Sequence, residues 1–327
     1  MNPGGFKKTS PNFGAGKKKR LPINNSTSIK PLSHFNNMIK DDNRLYDLID
    51  PDSPVETLAE IKNILLLIDP SPDPSPIEKI FEDIIRLFNG EFPGYRPSNT
   101  KYHNLEHTCS TALATARLIH GLHVQGQVFS PRLVQLCLIG ALFHDTGLIQ
   151  TEEETEGTGA QHTIGHEDRS IALMGKYLAE NGYSQEDIRD CGHIIKCTEL
   201  FSSLEEIPFN SEEVRIMGKV LGTADLVAQM ADKNYQEKLP LLFLEFQEAG
   251  MEGFETPLEL FRKTEEFYRS VARKRMSGVL GGVSSAALYH FRERWKIDNN
   301  LYEESIKYNI RQMKETVMES LLQLSII

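Results

Sequence analysis

Apolar residues recur every three to four positions along most of this chain from about Leu32 onward, which is the spacing of residues on one face of an α-helix. Clusters of Pro and Gly interrupt the pattern, and the short alternating runs typical of β-strands do not occur. Two clear examples are the stretch after Pro54, VETLAEIKNILLLI, and the stretch IEKIFEDIIRLF that follows the segment DPSPDPSP. The pattern predicts an all-α fold.

After the loop NGEFPGYRPSNT the same periodicity predicts further helices. Their expected ranges are about 102–123, 131–144, 163–180, 185–204, 212–231, 238–249 and 258–276. A final stretch at 286–324 either runs unbroken or is interrupted at the segment KIDNN. No internal repeat is evident, so we expect a single domain over residues 32–327, preceded by a disordered basic tail over residues 1–31.

At 327 residues with 39% hydrophobic residues, the chain is long enough to bury a substantial core. The longest apolar run, LVQLCLIGALF, is far shorter than the roughly 20 residues that a membrane-spanning helix needs, so no membrane span is expected. The N-terminal residues lack the apolar segment of a secretory signal, and the four cysteines form no CxxC pair. We therefore expect a cytoplasmic protein whose cysteines are reduced core residues, the alternative being that one of them is catalytic.

The net charge of −10 is unevenly distributed along the chain. The first twenty residues contain six basic and no acidic residues, so the remainder carries a net charge of about −16. Duplex nucleic acids are bound mainly through basic contacts to phosphates, so an acidic body argues against a nucleic-acid partner. The basic tail either contacts anionic surfaces or serves only as a solubilising extension.

The segment KYHNLEHT places His103 and His107 four residues apart, so that on a helix beginning near Tyr102 they would share one face. This spacing suits two groups that serve a common site, but it also occurs on ordinary solvated helix faces. His120 and His123 fall on the other side of the same helix and are expected at the surface.

The segment ALFHDTGLI ends an apolar helix with His144 and Asp145, and Gly147 follows. A histidine beside a buried carboxylate is costly unless both are paired, and a divalent metal ion would pair them. The alternative is a helix C-cap whose histidine complements the helix dipole. Asp225, in VLGTADLVAQM, also lies among apolar residues and needs a strong partner.

The segments YHNLEH, FHDTG, HEDRS, HIIKCT and TADL occur in this order over residues 102–230. This ordered set resembles the HD superfamily of metal-dependent phosphohydrolases, and most closely the HD-type cyclic nucleotide phosphodiesterases and their bacterial relatives. The resemblance implies an HD-domain-like helical bundle with a motif core at about 100–232. The helices before and after that core would then be N- and C-terminal additions to it.

By position, the resemblance implies that four residues ligate one metal ion, that the aspartate of the doublet bridges to a second ion, and that the first histidine of YHNLEH, His103, is the general acid. The four implied ligands are His107, His144, Asp145 and Asp225. His166 and His193 are placed like second-metal ligands of other HD branches, the alternative being that they only support the ligands. This mixture of imidazole and carboxylate suits one or two divalent ions of Mn, Fe, Co, Zn or Mg.

The chain departs from the phosphodiesterase pattern at three points. Leu148 stands where mammalian-type enzymes have a further histidine, no purine-binding glutamine follows Asp225, and the Gly-Tyr-Pro signature of cyclic di-GMP hydrolases is missing. We therefore expect a phosphodiesterase for a small nucleotide-like phosphoester, without specifying a cyclic nucleotide or an oligomeric state. The alternatives are a nucleotidase or nucleoside triphosphate hydrolase of the same fold, and a catalytically silent nucleotide-binding module.

Overall fold

The computed structural model describes residues 44–253 and 255–325, and the all-α prediction is confirmed over these residues. The only β pairing within the described ranges is an isolated antiparallel bridge between Tyr95 and Thr151. The basic tail expected over residues 1–31, and the helical pattern expected to start at residue 32, lie outside the described residues as far as residue 43.

Twelve α-helices follow one another along the described part of the chain. They are α1 Arg44–Leu48, α2 Pro54–Ile68, α3 Ser75–Phe88, α4 Leu105–Val124, α5 Pro131–Phe143, α6 His166–Glu180, α7 Gln185–Lys196, α8 Glu212–Met230, α9 Tyr235–Glu248, α10 Pro257–Phe267, α11 Ala286–Trp295 and α12 Leu301–Ser325. Short 3₁₀ turns lie at Thr146–Leu148, Gly159–His162, Leu204–Glu206 and Val283–Ser285, and π-helical segments lie at Tyr268–Ala272 and Arg275–Val279.

Capping residues explain where several helices begin. The Ser53 hydroxyl accepts the Glu56 N–H at the start of α2, and α2 also has proline in its first turn. Helix α4 begins at Leu105, three residues later than predicted, because the Asn104 side chain caps it by accepting the His107 N–H. His103 therefore lies in the turn before α4 and not on the helix.

Two other boundaries differ from the predicted ones for local reasons, and one of the two predicted forms of the last stretch is confirmed. Helix α6 begins at His166 because Gly165 adopts a left-handed conformation, with φ of 84°. Helix α7 ends at Lys196, and the Arg275 guanidinium donates to the carbonyl oxygens of two residues just beyond that end, Cys197 and Glu199. The last stretch is interrupted at KIDNN, where Lys296 has φ of 58°, so it forms α11 and α12.

Helix α4 lies in the centre of the bundle and packs against α2, α5, α8 and α11. The contact with α11 is very close, because a Cβ atom on Gly121 would stand 1.9 Å from the Ala286 carbonyl oxygen. Side chains on every face of α4 are consequently buried. The expected surface position of His120 is wrong, since this residue is only 2% exposed and its ring lies against that of His290 on α11.

The four cysteines are free thiols buried in the core, as the sequence predicted. Burial raises the pKa of the Cys109 thiol to about 12, which is the behaviour of a packing residue and not of a nucleophile. Across the part of the chain that is described, no helix combines the length and the apolar character needed to span a bilayer.

Candidate metal centre

Three side chains from three different helical elements converge at one point. They are His107 on α4, His144 at the C-terminal cap of α5, and Asp225 on α8, and the ligand atoms of the three all lie within 4.8 Å of one another. His107 Nε2 is 3.0 Å from Asp225 Oδ1, and His144 Nε2 is 3.4 Å from His107 Nε2. Two of the histidines and the distant aspartate that the sequence singled out are thus brought together by the packing of α4, α5 and α8.

Asp145 lies between this group and a further histidine. Its Oδ2 atom is 3.1 Å from His144 Nε2 and 3.6 Å from His107 Nε2, and it accepts no hydrogen bond from the described residues although it is enclosed. Its Oδ1 atom is 3.2 Å from Nε2 of His166, the first residue of α6. The two oxygens of one carboxylate therefore face different histidines, as a bridging ligand requires.

Backbone carbonyls fix the tautomers of two of these histidines. Nδ1 of His144 is 2.8 Å from the Ala141 carbonyl oxygen, and Nδ1 of His166 is 2.8 Å from the Thr163 carbonyl oxygen. A carbonyl can only accept, so each Nδ1 carries the hydrogen and donates it. In the neutral ring Nε2 is then a lone pair, and in both residues it faces an oxygen of Asp145. Two acceptors in contact need a cation, so this donor set fits a divalent metal ion.

In the cluster without a metal ion, a proton on the imidazoles takes the place of the cation, and metal binding would release it. Burial opposes protonation of His144, but Asp145 and Asp225 outweigh it and raise the pKa of this imidazole well above its usual value. Burial also opposes ionisation of Asp145, yet His144 and His166 hold the pKa of its carboxyl well below the usual range. The carboxylates are thus in the ionised form that metal coordination requires.

His103 lies beside the cluster, with its ring centre 5.9 Å from that of His107 and 6.2 Å from that of His166. Its Nδ1 donates to Glu245 Oε2 over 2.7 Å, and Glu245 Oε1 accepts the Tyr102 N–H over 2.7 Å. Burial lowers the pKa of the His103 imidazole, but the hydrogen bond to Glu245 and the charge of Asp145 outweigh burial and raise it.

Glu245, on α9, was not found in the sequence analysis. The signal was present, because this glutamate interrupts the apolar stretch LPLLFLEF in the same way as Asp225 interrupts its own helix. It is buried, and its contacts with the turn before α4 join α9 to the cluster.

The turn after α5 is held to the start of α6 by one side chain and one close backbone contact. Ser170 Oγ donates to the His144 carbonyl oxygen over 2.6 Å and accepts the Gly147 N–H over 2.8 Å. A Cβ atom on Gly147 would stand 2.1 Å from the His166 carbonyl oxygen, so only glycine allows this approach. These contacts fix Asp145 relative to His166.

The sequence profile of a family described as Npun_R2479-like matches residues 79–287, which is more than half of the chain. The chain belongs to the Npun_R2479-like family. Among curated proteins, none matches the sequence. The matched range of this Npun_R2479-like chain runs from α3 into α11 and contains every residue of the cluster, together with His103 and Glu245.

One predicted ligand of this Npun_R2479-like chain stands apart. The His193 ring, on α7, packs edge-on against Phe209 with a centroid distance of 5.9 Å. Among the contacts of the described residues none joins His193 to the cluster, and burial lowers the pKa of its imidazole. Of the seven side chains that the sequence put forward, the structure thus gathers six, with His193 facing a different part of the core.

Proposed function

We propose that the protein is a metal-dependent phosphodiesterase with HD-domain architecture, which hydrolyses a small nucleotide-like phosphodiester. The observation that carries the proposal is the convergence of His107, His144 and Asp225 beside the unpartnered Oδ2 atom of Asp145. Nitrogen and carboxylate donors in this mixture suit Mn, Fe, Co, Zn or Mg. All four cysteines are buried free thiols, which agrees with a cytoplasmic location as part of the proposal.

In this proposal each side chain of the cluster has one role. His107, His144, Asp145 and Asp225 would hold a first divalent ion, and Asp145 and His166 would hold a second. Divalent ions lower the pKa of water and neutralise negative charge on a phosphate, which are the two requirements of phosphodiester hydrolysis. The protein contributes imidazoles whose tautomer is fixed, so that Nε2 offers its lone pair, together with ionised carboxylates.

His103 is the general acid of the proposed reaction. Glu245 engages its Nδ1, which leaves Nε2 as the ring nitrogen that exchanges a proton with the substrate. An alkoxide leaving group needs such a proton, whereas a triphosphate releases a good leaving group without one. The buried His103–Glu245 pair therefore favours a phosphodiesterase over a nucleoside triphosphate hydrolase.

The ligand assignment is tested by metal analysis and turnover of matched variants. The purified protein should contain one to two divalent ions per chain and should hydrolyse bis(p-nitrophenyl) phosphate. Asp225→Asn should lose both the metal and the activity, while His193→Ala, which removes an imidazole outside the cluster, should keep both. Full activity in Asp225→Asn would overturn the proposal.

The role of His103 is tested by varying the leaving group. His103→Ala should keep its metal content and lose about a hundredfold in turnover of an alkyl phosphodiester. Its loss on a p-nitrophenyl diester should be much smaller, because nitrophenolate departs without a proton. Equal losses on the two substrates would remove the proton-donor role while leaving the metal site intact.

A substrate panel separates the remaining alternatives. Cyclic mononucleotides, cyclic dinucleotides, nucleoside monophosphates and nucleoside triphosphates should be tested with Mn, Mg and Zn in turn. Hydrolysis of triphosphates or nucleoside monophosphates alone would replace the diesterase by the triphosphate hydrolase or nucleotidase alternative. Nucleotide binding without any hydrolysis would favour a silent binding module.

A further inference from the structure

Phe201 carries the only exposed aromatic ring among the phenylalanine, tyrosine and tryptophan residues that the structure describes. Its side chain is 83% exposed, whereas the other rings of the described ranges are buried or partly buried. Single exposed apolar side chains are common at protein surfaces. Phe201 differs from them because the backbone on both sides of it is held in place close to the candidate metal centre.

Arg275 holds the loop after α7, in which Phe201 lies. Its Nη2 donates to the Glu199 carbonyl oxygen over 2.7 Å, and its Nη1 donates to the Ser202 carbonyl oxygen over 3.1 Å. Nη2 also donates to the carbonyl oxygen of Cys197, the residue just after α7, over 3.1 Å. Because the Arg275 side chain is itself buried, the loop presents the Phe201 ring at a defined place.

The loop after α7 packs against the helix that carries Asp225. A Cβ atom on Gly222 would stand 2.5 Å from the Cys197 carbonyl oxygen, so this contact requires glycine. Gly222 precedes Asp225 by three residues, which is a rise of about 4.5 Å along α8. Burial lowers the pKa of the Arg275 guanidinium, and the charges of Glu199 and Asp225 oppose that effect, as expected of groups that lie close together.

The same loop is joined to the helix that begins with His166. Lys196 Nζ lies 2.7 Å from a carboxylate oxygen of Asp168 and 2.9 Å from one of Glu199. Asp168 belongs to the first turn of α6, two residues after His166. The loop after α7 is therefore held against both α6 and α8, which contribute His166 and Asp225 to the cluster.

The cluster is most accessible on the side of Asp225. The Asp225 side chain is 21% exposed, compared with 1% for His144 and 3% for Asp145. A phosphate that reaches the ions of the proposed function would therefore approach past Asp225, on the side that the loop after α7 borders. The remainder of the same molecule would then lie near the Phe201 ring.

We propose that Phe201 is a stacking platform for the nucleobase of the substrate. This inference rests on the proposed function, because the candidate metal centre must bind the phosphate of the same molecule. Every nucleobase has a π-face, so stacking on Phe201 selects nucleotides over sugar phosphates without specifying the base. The base in turn covers an apolar ring that is otherwise left in water.

Equilibrium binding measures this contribution separately from turnover. AMP and ribose 5-phosphate share the phosphate and the sugar and differ in the base, so calorimetric titration with each ligand in the presence of Mn isolates the effect of the base. The wild type should bind AMP about tenfold more tightly than ribose 5-phosphate. Phe201→Ala should bind the two ligands equally, with its affinity for ribose 5-phosphate unchanged. Phe201→Trp should keep the preference for AMP.

Two further variants show whether the effect is local and aromatic. Phe201→Leu keeps an apolar side chain without a ring and should lose most of the preference for AMP. Val128→Ala is the matched control, because Val128 is 82% exposed and follows the C-terminal end of α4, whereas His107 lies in the first turn of that helix. This control should bind both ligands like the wild type. Both altered side chains are exposed, so the variants should fold normally.

The stacking role and the proposed function can fail separately. Equal binding of AMP and ribose 5-phosphate by the wild type, or an unchanged preference in Phe201→Ala, would overturn the stacking role while leaving the proposed function in place. If neither ligand binds, the stacking role is also wrong. Hydrolysis of bis(p-nitrophenyl) phosphate then decides whether the proposed function is wrong as well.

Discussion

Lowering the pH from 7.5 to 5 is expected to cost about 2 kcal/mol of unfolding free energy at His120 alone. This imidazole is buried on α4, with its Nδ1 3.1 Å from Nδ1 of His290. Burial is the main cause that lowers the pKa of His120 from 6.5 to about 4, and it lowers the pKa of His290 well below the usual value too. The charged and titratable groups around the pair are His123, Glu293, Arg294, Glu60 and Arg117.

The sign follows from which state binds more protons. Between pH 6.5 and about 4 the unfolded chain protonates His120 while the folded chain keeps it neutral, so unfolding takes up a proton and stability falls as the pH falls. The contribution of the neutral imidazole is complete above pH 6.5. With these two pKa values, the loss at pH 5 is about 2 kcal/mol relative to neutral pH.

Urea unfolding at pH 7.5, 6.5, 5.5 and 5.0 measures this loss. His120→Asn cannot be protonated, and its amide reaches the position of Nδ1, so its stability should fall by about 2 kcal/mol less than that of the wild type over this range. His123→Asn removes an imidazole from the same helix while leaving the His120–His290 contact intact, and it serves as the control. The reasoning is refuted if His120→Asn and the wild type lose equal stability between pH 7.5 and 5.

Three further perturbations address the candidate metal centre. Gly147→Ala should lower both the unfolding temperature and the metal content, since its Cβ would stand 2.1 Å from the His166 carbonyl oxygen, and unchanged values would show that the backbone yields there. Ser170→Ala removes two buried hydrogen bonds and should lower the free energy of unfolding, measured with urea, by about 1 to 3 kcal/mol. A negligible change would contradict this prediction. Glu245→Gln should retain its metal and lose about tenfold or more in turnover, measured with an alkyl phosphodiester; normal turnover would mean that the contact with His103 is only structural.

Much of the fold could be predicted because its signals are local. Serine or proline at the start of α2 and α5 marks those helices, and apolar periodicity gives their length. The residues of the cluster were recognisable for a related reason, because an acidic or imidazole group in an apolar stretch needs a partner. This applies to Asp225 and to the doublet at His144 and Asp145, even though the sequence does not show the distances between them.

The positions that the sequence did not predict correctly are determined by tertiary packing. Helical periodicity showed correctly that His120 lies away from His107, but it does not show whether a second layer covers that side. Here α11 covers it. For His193 the period likewise gives the face of α7 but not which neighbour packs there, and that neighbour is Phe209. The His103–Glu245 pair joins residues 142 positions apart, a separation over which local patterns carry no information.

The three converging residues lie far apart along the chain, and this separation determines how distant substitutions should affect metal binding. His107 and His144 are 37 positions apart, and His107 and Asp225 are 118 apart. An ion bound by all three would therefore cross-link the chain and close long loops. The free energy of metal binding would then add to the free energy of folding, so that a loss of one weakens the other. Substitutions that destabilise the bundle far from the cluster should therefore lower the metal content of the protein. An excess of the metal ion should restore the folding of such variants.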